Sequence, residues 1–182
     1  GNFNLTNVDE LFDVLVNIGQ HPKQKSDTVT ILEKIGHFLD EENQLRFDTL
    51  KEQGLDNQTI SERIADTLDL GQVLRMASSD FDGGYVMCGL LGHGDAFVMR
   101  DPNGIRPAYW YEDEDVVVAA SERPVIQTAF NVTADRIQEV LPGSALIVRR
   151  NGKAHVEEIR AAAERKACSF ERIYFSRGND AD

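Results

Sequence analysis

The sequence predicts an α+β domain, with helices in the first half of the chain and antiparallel strands in the second. Apolar residues recur at spacings of three and four over residues 8–16 and 29–39, as in amphipathic helices. After residue 84 they form short runs separated by turn residues, which is typical of strands. This segregation argues against a doubly wound parallel sheet, in which helices and strands alternate.

Capping residues define the first two helices. Asn7 precedes the first apolar repeat, has Glu10 at capping-box spacing, and Gly19 follows as a stop signal. A polar loop with a proline comes next, and Ser26 and Asp27 then start the second helix.

The next segment, residues 40–69, is highly charged but keeps isolated apolar positions. It predicts a charged helical insertion of one or two surface helices broken at Gly54. A short helix is predicted around residues 73–76. Residues 82–84 form a turn, and the apolar run 85–91 is predicted to be a buried central strand.

The most ordered pattern spans residues 94–122. Strand-like runs at 96–99 and 108–111 flank a loop rich in Asp, Asn, Gly and Pro, which predicts a hairpin, and a third run at 116–120 extends it to three consecutive antiparallel strands. The remaining predicted elements are a helix at 124–130, a strand at 144–148, an Asn151-Gly152 turn into a strand at 155–157, a helix at 161–166 and a strand at 170–175.

Length and charge exclude several classes of function. The chain has 182 residues, 41% of them hydrophobic, which fits one domain over residues 1–182. A net charge of −12 argues against binding to nucleic acid or to an anionic membrane. Neither a membrane-spanning run nor a signal peptide is visible, so we expect a cytoplasmic protein.

The two cysteines and four histidines do not form a recognisable metal or disulfide pattern. Cys88 is predicted to be a small core residue within a strand, and Cys168 lies far from it. No metal site is predicted in this chain.

Six motifs, in this order, carry a family resemblance. They are NFNLTN at 2–7, Ser26-Asp27, Gly84-Tyr85, RDPNGIRP at 100–107, Ala120-Ser121-Glu122 and CSFERIYF at 168–175. Together they resemble the glutaminase domain of the glutamine phosphoribosylpyrophosphate amidotransferases, which are class II glutamine amidotransferases.

The resemblance implies an N-terminal-nucleophile (Ntn) hydrolase fold, an αββα sandwich of antiparallel sheets, here incomplete at its N-terminus. It also implies hydrolysis of glutamine and transfer of the ammonia to phosphoribosyl pyrophosphate, in a protein that is a homo-oligomer at full length. The family's N-terminal cysteine nucleophile lies upstream of the NFNLTN motif, and its phosphoribosyltransferase domain, where Mg²⁺ is expected, lies downstream. We therefore expect a fragment that is truncated at both ends, needs no cofactor of its own and is inactive alone.

Three residues receive site roles from the resemblance. Asn2 matches the asparagine whose side-chain amide donates to the oxyanion, and Phe3 stands where a glycine usually supplies a second, backbone donor. Asp27 matches the aspartate that binds the α-amino group of glutamine. From the residues alone, a turn asparagine is the default interpretation of Asn2 and an ordinary N-cap that of Asp27.

The charged residues of the RDPNGIRP loop are predicted to be structural. Arg100, Asp101, Arg106 and Glu122 could form a catalytic constellation, but tight loops commonly use Asp and Arg to satisfy their own backbone groups. Gly104 is predicted to adopt a positive φ.

Alternative functions remain open at this point. The ammonia acceptor could differ, as in asparagine or glucosamine-phosphate synthases, or Phe3 and the acidic insertion could mark a regulatory paralogue that lacks catalysis. Cys168 aligns with an iron–sulfur ligand of some family members, but others keep that cysteine without a cluster.

Overall fold

The computed structural model describes residues 1–174. Its contacts divide the chain into two compact units, one of residues 5–82 and one that combines residues 1–4 with the chain from Gly83 onward. The single domain over residues 1–182 stays a prediction. Among the described residues, every helix is too short or too polar to cross a bilayer.

Residues 5–82 form a helical unit. Its helices are α1 (Val8–Asn17), α2 (Asp27–Glu52), α3 (Asn57–Thr67) and α4 (Leu70–Ser78). The predicted helices are confirmed, although α2 continues without a break from the second predicted helix into the charged segment. The break at Gly54 is also confirmed, because this residue has a φ of 81° after the end of α2.

The caps of these helices follow the sequence with one exception. The side chains of Ser26, Asp56 and Asp69 accept hydrogen bonds from the first-turn amides of α2, α3 and α4. Asn7 occupies the N-cap of α1, but its side chain makes no capping bond. It donates instead to the Asp80 carbonyl (2.8 Å) and accepts from the Asp82 amide (3.2 Å), so the predicted capping box is wrong.

The second unit contains two antiparallel sheets. The first has the strand order β1-β2-β3-β7-β8 and the second the order β5-β4-β6. The strands are β1 (Asn2–Leu5), β2 (Gly83–Leu90), β3 (Ala96–Arg100), β4 (Tyr109–Glu112), β5 (Val117–Ala120), β6 (Gln138–Glu139), β7 (Ser144–Val148) and β8 (Ala154–Glu158). Its helices are α5 (Arg123–Phe130) and the short α6 (Ser169–Tyr174), with a 3₁₀ turn at Ala134–Arg136.

The predicted hairpin between residues 96–99 and 108–111 is wrong. β3 pairs with β2 and β7 in the first sheet, with Met99 opposite Met87, whereas β4 pairs with β5 and β6 in the second. The intervening loop therefore carries the chain from one sheet to the other. The hairpins β4–β5 and β7–β8 are confirmed.

Apolar side chains from both sheets share one core. Val86, Val98 and Leu146 of the first sheet cluster with Trp110 of the second and with Val140. On α5, Ile126 joins a separate cluster with Tyr111 and Ile137. This unit is therefore built as sheet, sheet and helix, and with the separate helical unit it confirms the α+β class.

Two predictions near the end of the chain are wrong. Residues 161–168 are not helical, because amides of this segment donate to carbonyls of the RDPNGIRP loop and not to their own preceding turn. The bonds join Ala163 to Pro102 (2.9 Å), Lys166 to Asn103 (2.8 Å) and Cys168 to Ile105 (3.0 Å). The strand predicted at 170–175 is helical over Ser169–Tyr174, and Phe175 lies outside the described residues.

Candidate functional site

The two-sheet unit contains a cavity of about 210 Å³. Strands β2 and β3, the start of the chain and the segments around β4 and β5 form its walls. Its lining residues are Gly1, Asn2, Val86, Cys88, Val98, Pro107, Ala108, Ala119, Ala120 and Ser121. Three of the sequence motifs therefore meet here: NFNLTN, the end of RDPNGIRP, and Ala120-Ser121.

Asn2 lies on strand β1, lines this cavity and is hydrogen-bonded to helix α6. Its Nδ2 donates to Oε1 of Glu171 at 3.1 Å. The same carboxylate oxygen accepts a hydrogen bond from the Arg106 guanidinium. Glu171 is buried, with 8% of its surface exposed, so the Asn2 amide meets a charged acceptor that water barely reaches.

Phe3 is half-buried next to Asn2. A Cβ placed on Gly1 would meet the Phe3 ring at 2.2 Å, so the ring folds back over the first residue. Phe3 therefore covers Gly1, which lines the cavity.

Cys88 is exposed, so its predicted core position is wrong. It lies on β2 after the buried run Tyr85–Met87, and its side chain lines the cavity and does not enter the core. The surrounding protein atoms nevertheless desolvate the thiol and raise its pKa. A raised pKa keeps the thiol protonated and weakly nucleophilic at neutral pH.

Asp27 is the first residue of α2, and Ser26, not Asp27, is the N-cap. One carboxylate oxygen of Asp27 accepts from the Leu5 amide at 2.8 Å. An ionised carboxylate offers about four acceptor positions, so this bond leaves capacity for a cationic ligand group.

The Arg100 guanidinium donates hydrogen bonds to backbone carbonyls and to one carboxylate. The side chain is 2% exposed and donates to Arg106 O (2.6 Å), Val140 O (2.7 Å), Gly104 O (3.1 Å) and the Glu139 carboxylate (2.6 Å). These partners hold the ends of the sheet-crossing loop together, and the group faces the loop and not the cavity.

Asp101 is fully buried and accepts from four backbone amides. These are Asn103 (3.0 Å), Ile105 (3.0 Å), Arg106 (3.3 Å) and Tyr85 (3.3 Å). The first three belong to the loop itself, and Tyr85 belongs to β2. Gly104 has the positive φ that the sequence predicts, 60°, and a Cβ there would lie 2.9 Å from Pro142.

Glu122 precedes α5 at its N-cap position but makes no side-chain capping bond. The two preceding residues, Ala120 and Ser121, line the cavity. Within residues 1–174 there is no group of three or more His, Cys, Asp or Glu side chains that could hold a metal ion.

Sequence reasoning missed Glu171 as a site residue. It stands inside the CSFE motif, which carries the family resemblance but implies no role for this glutamate. Its pairing with Asn2 joins residues 169 positions apart, which no local pattern predicts.

Comparison with known proteins gives one consistent result. No protein-family model matches the chain. The amidophosphoribosyltransferase of Pasteurella multocida is 28% identical over 182 residues, and that of Bacillus subtilis is 30% identical over 180. Each alignment covers 97% of this chain. The chain is homologous to the amidophosphoribosyltransferases.

The solved structures agree with this homology. The B. subtilis glutamine phosphoribosylpyrophosphate amidotransferase, solved with ADP and GMP, superposes with a TM-score of 0.65 at 27% identity, over 97% of this chain and 32% of that one. A structure described as the allosteric regulatory enzyme of purine biosynthesis gives a TM-score of 0.66, also at 27% identity, over 97% of this chain and 31% of that one. The Ntn-type fold implied by the resemblance is thereby confirmed.

The homology concerns part of an amidophosphoribosyltransferase. The chain spans 32% of the P. multocida relative and 30% of the B. subtilis relative, about a third of each.

Proposed function

We propose that this chain is the glutaminase region of an amidophosphoribosyltransferase, which releases ammonia from glutamine and transfers it to phosphoribosyl pyrophosphate. The observation that carries the proposal is the homology over 97% of the chain, together with a fold match at 27% identity. Three of the six motifs that gave the resemblance also meet at one cavity, which supports a shared chemical role for them.

Asn2 serves as the oxyanion donor in this proposal. Attack of a thiolate on the glutamine side-chain amide forms a C–S bond and places negative charge on the carbonyl oxygen. A preorganised amide donor stabilises such an oxyanion by about 3 kcal/mol. The Phe3 backbone N–H is the second donor, and its side chain narrows the approach over Gly1.

Asp27 binds the α-amino group of glutamine. Its carboxylate is held at the start of α2 by the Leu5 amide, which fixes its orientation while other acceptor positions stay available.

Cys88 and Cys168, the two cysteines of these 182 residues, are not the nucleophile in this proposal. The family chemistry needs a thiolate next to its own α-amine, which takes the thiol proton and passes it to the leaving ammonia; water then hydrolyses the thioester to glutamate. Cys88 lies within a strand and its pKa is raised. We therefore expect these 182 residues to bind glutamine without releasing ammonia.

Calorimetric titration of the 182-residue chain with L-glutamine tests the binding role. Asp27→Asn keeps an acceptor for Leu5 but loses the charge, so the affinity should fall about tenfold. Asp9→Asn is the matched control, because Asp9 is also in the first turn of a helix but is paired with Lys25 on the surface. Equal affinities for wild type and Asp27→Asn would refute the role of Asp27.

The acceptor is tested on the full-length protein. With glutamine supplied, phosphoribosyl pyrophosphate should be consumed and glutamate formed in equal amounts. Product formation only with aspartate or fructose 6-phosphate would favour an asparagine or glucosamine-phosphate synthase. If the protein forms product with none of these acceptors, a regulatory paralogue would be favoured. In this proposal, Mg²⁺ belongs to the phosphoribosyl transfer, as the family resemblance implies. A cytoplasmic location and a homo-oligomeric state are parts of the same proposal.

A further inference from the structure

We propose that Glu171 is a positioning residue that fixes the orientation of the Asn2 side-chain amide. The inference rests on the proposed function, in which Asn2 donates to the oxyanion. It starts from the single carboxylate oxygen, Oε1 of Glu171, that accepts from both Asn2 and Arg106.

An asparagine at this position needs such a partner. Asn2 is an exposed residue near the start of a strand, and the terminal torsion of an asparagine side chain is broad. Rotation by 180° would exchange the NH₂ group for the carbonyl oxygen and would present an acceptor to the developing oxyanion. An oxyanion hole requires the donor orientation.

A carboxylate selects that orientation because it can only accept when ionised. Turning Asn2 would place Oδ1 against Oε1 of Glu171, two acceptors that repel each other. The observed orientation uses one N–H of Nδ2 for Glu171, and the amide group has a second N–H. Glu171 thus determines which end of the amide occupies this position.

Glu171 is itself held by the sheet-crossing loop. Arg106 supplies the cation, and its backbone amide is fixed by the buried Asp101 carboxylate. Three backbone amides of the segment leading to Glu171 donate to carbonyls of the same loop, the last of them from Cys168 to Ile105 at 3.0 Å. The loop therefore fixes the Glu171 carboxylate in two ways: it holds the Arg106 guanidinium that pairs with it, and it holds the backbone segment that leads to it.

Amide exchange by NMR tests the proposal on the 182-residue chain. The Asn2 side-chain resonances are assigned through their loss in Asn2→Asp. In Glu171→Ala we expect exchange of the Asn2 side-chain amide with water to rise about tenfold and its shifts to approach those of free asparagine. Glu171→Gln keeps an acceptor oxygen and should restore most of the protection. Glu164→Gln is the control, because this exposed glutamate uses only its backbone carbonyl, which accepts from Asn103.

A second variant covers the case in which Glu171→Ala disrupts helix α6. Arg106→Ala leaves Glu171 in place but removes its cation, and should raise Asn2 exchange about threefold, less than Glu171→Ala. Unchanged Asn2 exchange in Glu171→Ala, or in Arg106→Ala where the first variant does not fold, would overturn the positioning role.

Glutamine binding separates this inference from the proposed function. Added glutamine should shift the Asn2 amide resonances in wild type and less so in Glu171→Ala. No glutamine response in wild type would refute the proposed function and with it the use of Asn2 in the reaction. A wild-type response that Glu171→Ala leaves unaltered would refute the positioning role alone.

Discussion

Replacing Asp101 by asparagine should destabilise the two-sheet unit by about 3 kcal/mol. The carboxylate is fully buried, with one oxygen accepting from Asn103 and Ile105 and the other from Tyr85, Ile105 and Arg106. Asparagine keeps one acceptor oxygen and turns the other into an NH₂ group. At least one buried amide then loses its acceptor and faces a donor, at a cost of about 1–3 kcal/mol, and the remaining bonds lose the charge that strengthens them.

Urea unfolding followed by Trp110 fluorescence measures this loss. Trp110 is the single tryptophan and is buried in the core between the sheets, so it reports on this unit. Asp113→Asn is the matched control, because Asp113 also accepts from two backbone amides but lies in an exposed turn, where water can replace the lost bonds. A loss for Asp101→Asn no larger than that for Asp113→Asn would refute the view that this carboxylate organises the loop.

Two further stability predictions use matched pairs in the same assay. Gly143→Ala should lower the free energy of unfolding by more than about 3 kcal/mol, because a Cβ there would meet the Arg160 carbonyl oxygen at 2.2 Å. Gly152 has a similar positive φ but lies in open space, so Gly152→Ala should lower it by only about 1 kcal/mol. Equal losses for the two variants would contradict the clash at Gly143. Burial raises the pKa of Tyr85 to about 12, so unfolded chains should lose this proton near pH 10 and folded chains only near pH 12. Stability should therefore fall by about 3 kcal/mol across that range. Tyr85→Phe should remove this alkaline fall, while Tyr174→Phe, at an exposed site, should keep it.

Local patterns predicted most elements but not their pairing. The capping residues and apolar spacing located α2 and α5 correctly, since these signals act within a few residues. The composition of the sheet-crossing loop wrongly predicts a hairpin, because Asp, Asn, Gly and Pro are equally frequent in hairpin turns. What decides the crossing is the set of bonds from Arg100 and Asp101 to residues such as Val140 and Tyr85, which are distant in sequence.

The errors after residue 160 have a related cause. Residues 161–166 have good helix propensity, yet their amides bond to the loop carbonyls of Pro102 and Asn103. Propensity differences of a few tenths of a kcal/mol per residue cannot compete with such tertiary hydrogen bonds. Composition and spacing likewise do not predict the candidate site, because only the family resemblance gives Asn2 and Asp27 a role.

The RDPNGIRP loop connects the two sheets and also positions Glu171 next to the Asn2 amide. Arg100 and Asp101 do not line the cavity, because their side chains form hydrogen bonds mainly with backbone groups at the sheet-crossing loop. Its last charged residue, Arg106, nevertheless pairs with Glu171, and Glu171 holds the Asn2 amide. If Asn2 is the oxyanion donor of the proposed function, this loop determines the geometry of that donor, because the bonds that fix the loop backbone also fix the cation on which Glu171 depends. Loosening the loop through Asp101→Asn should therefore increase Asn2 amide exchange even under conditions where the chain stays folded, and a folded Asp101→Asn chain with wild-type exchange would break this link.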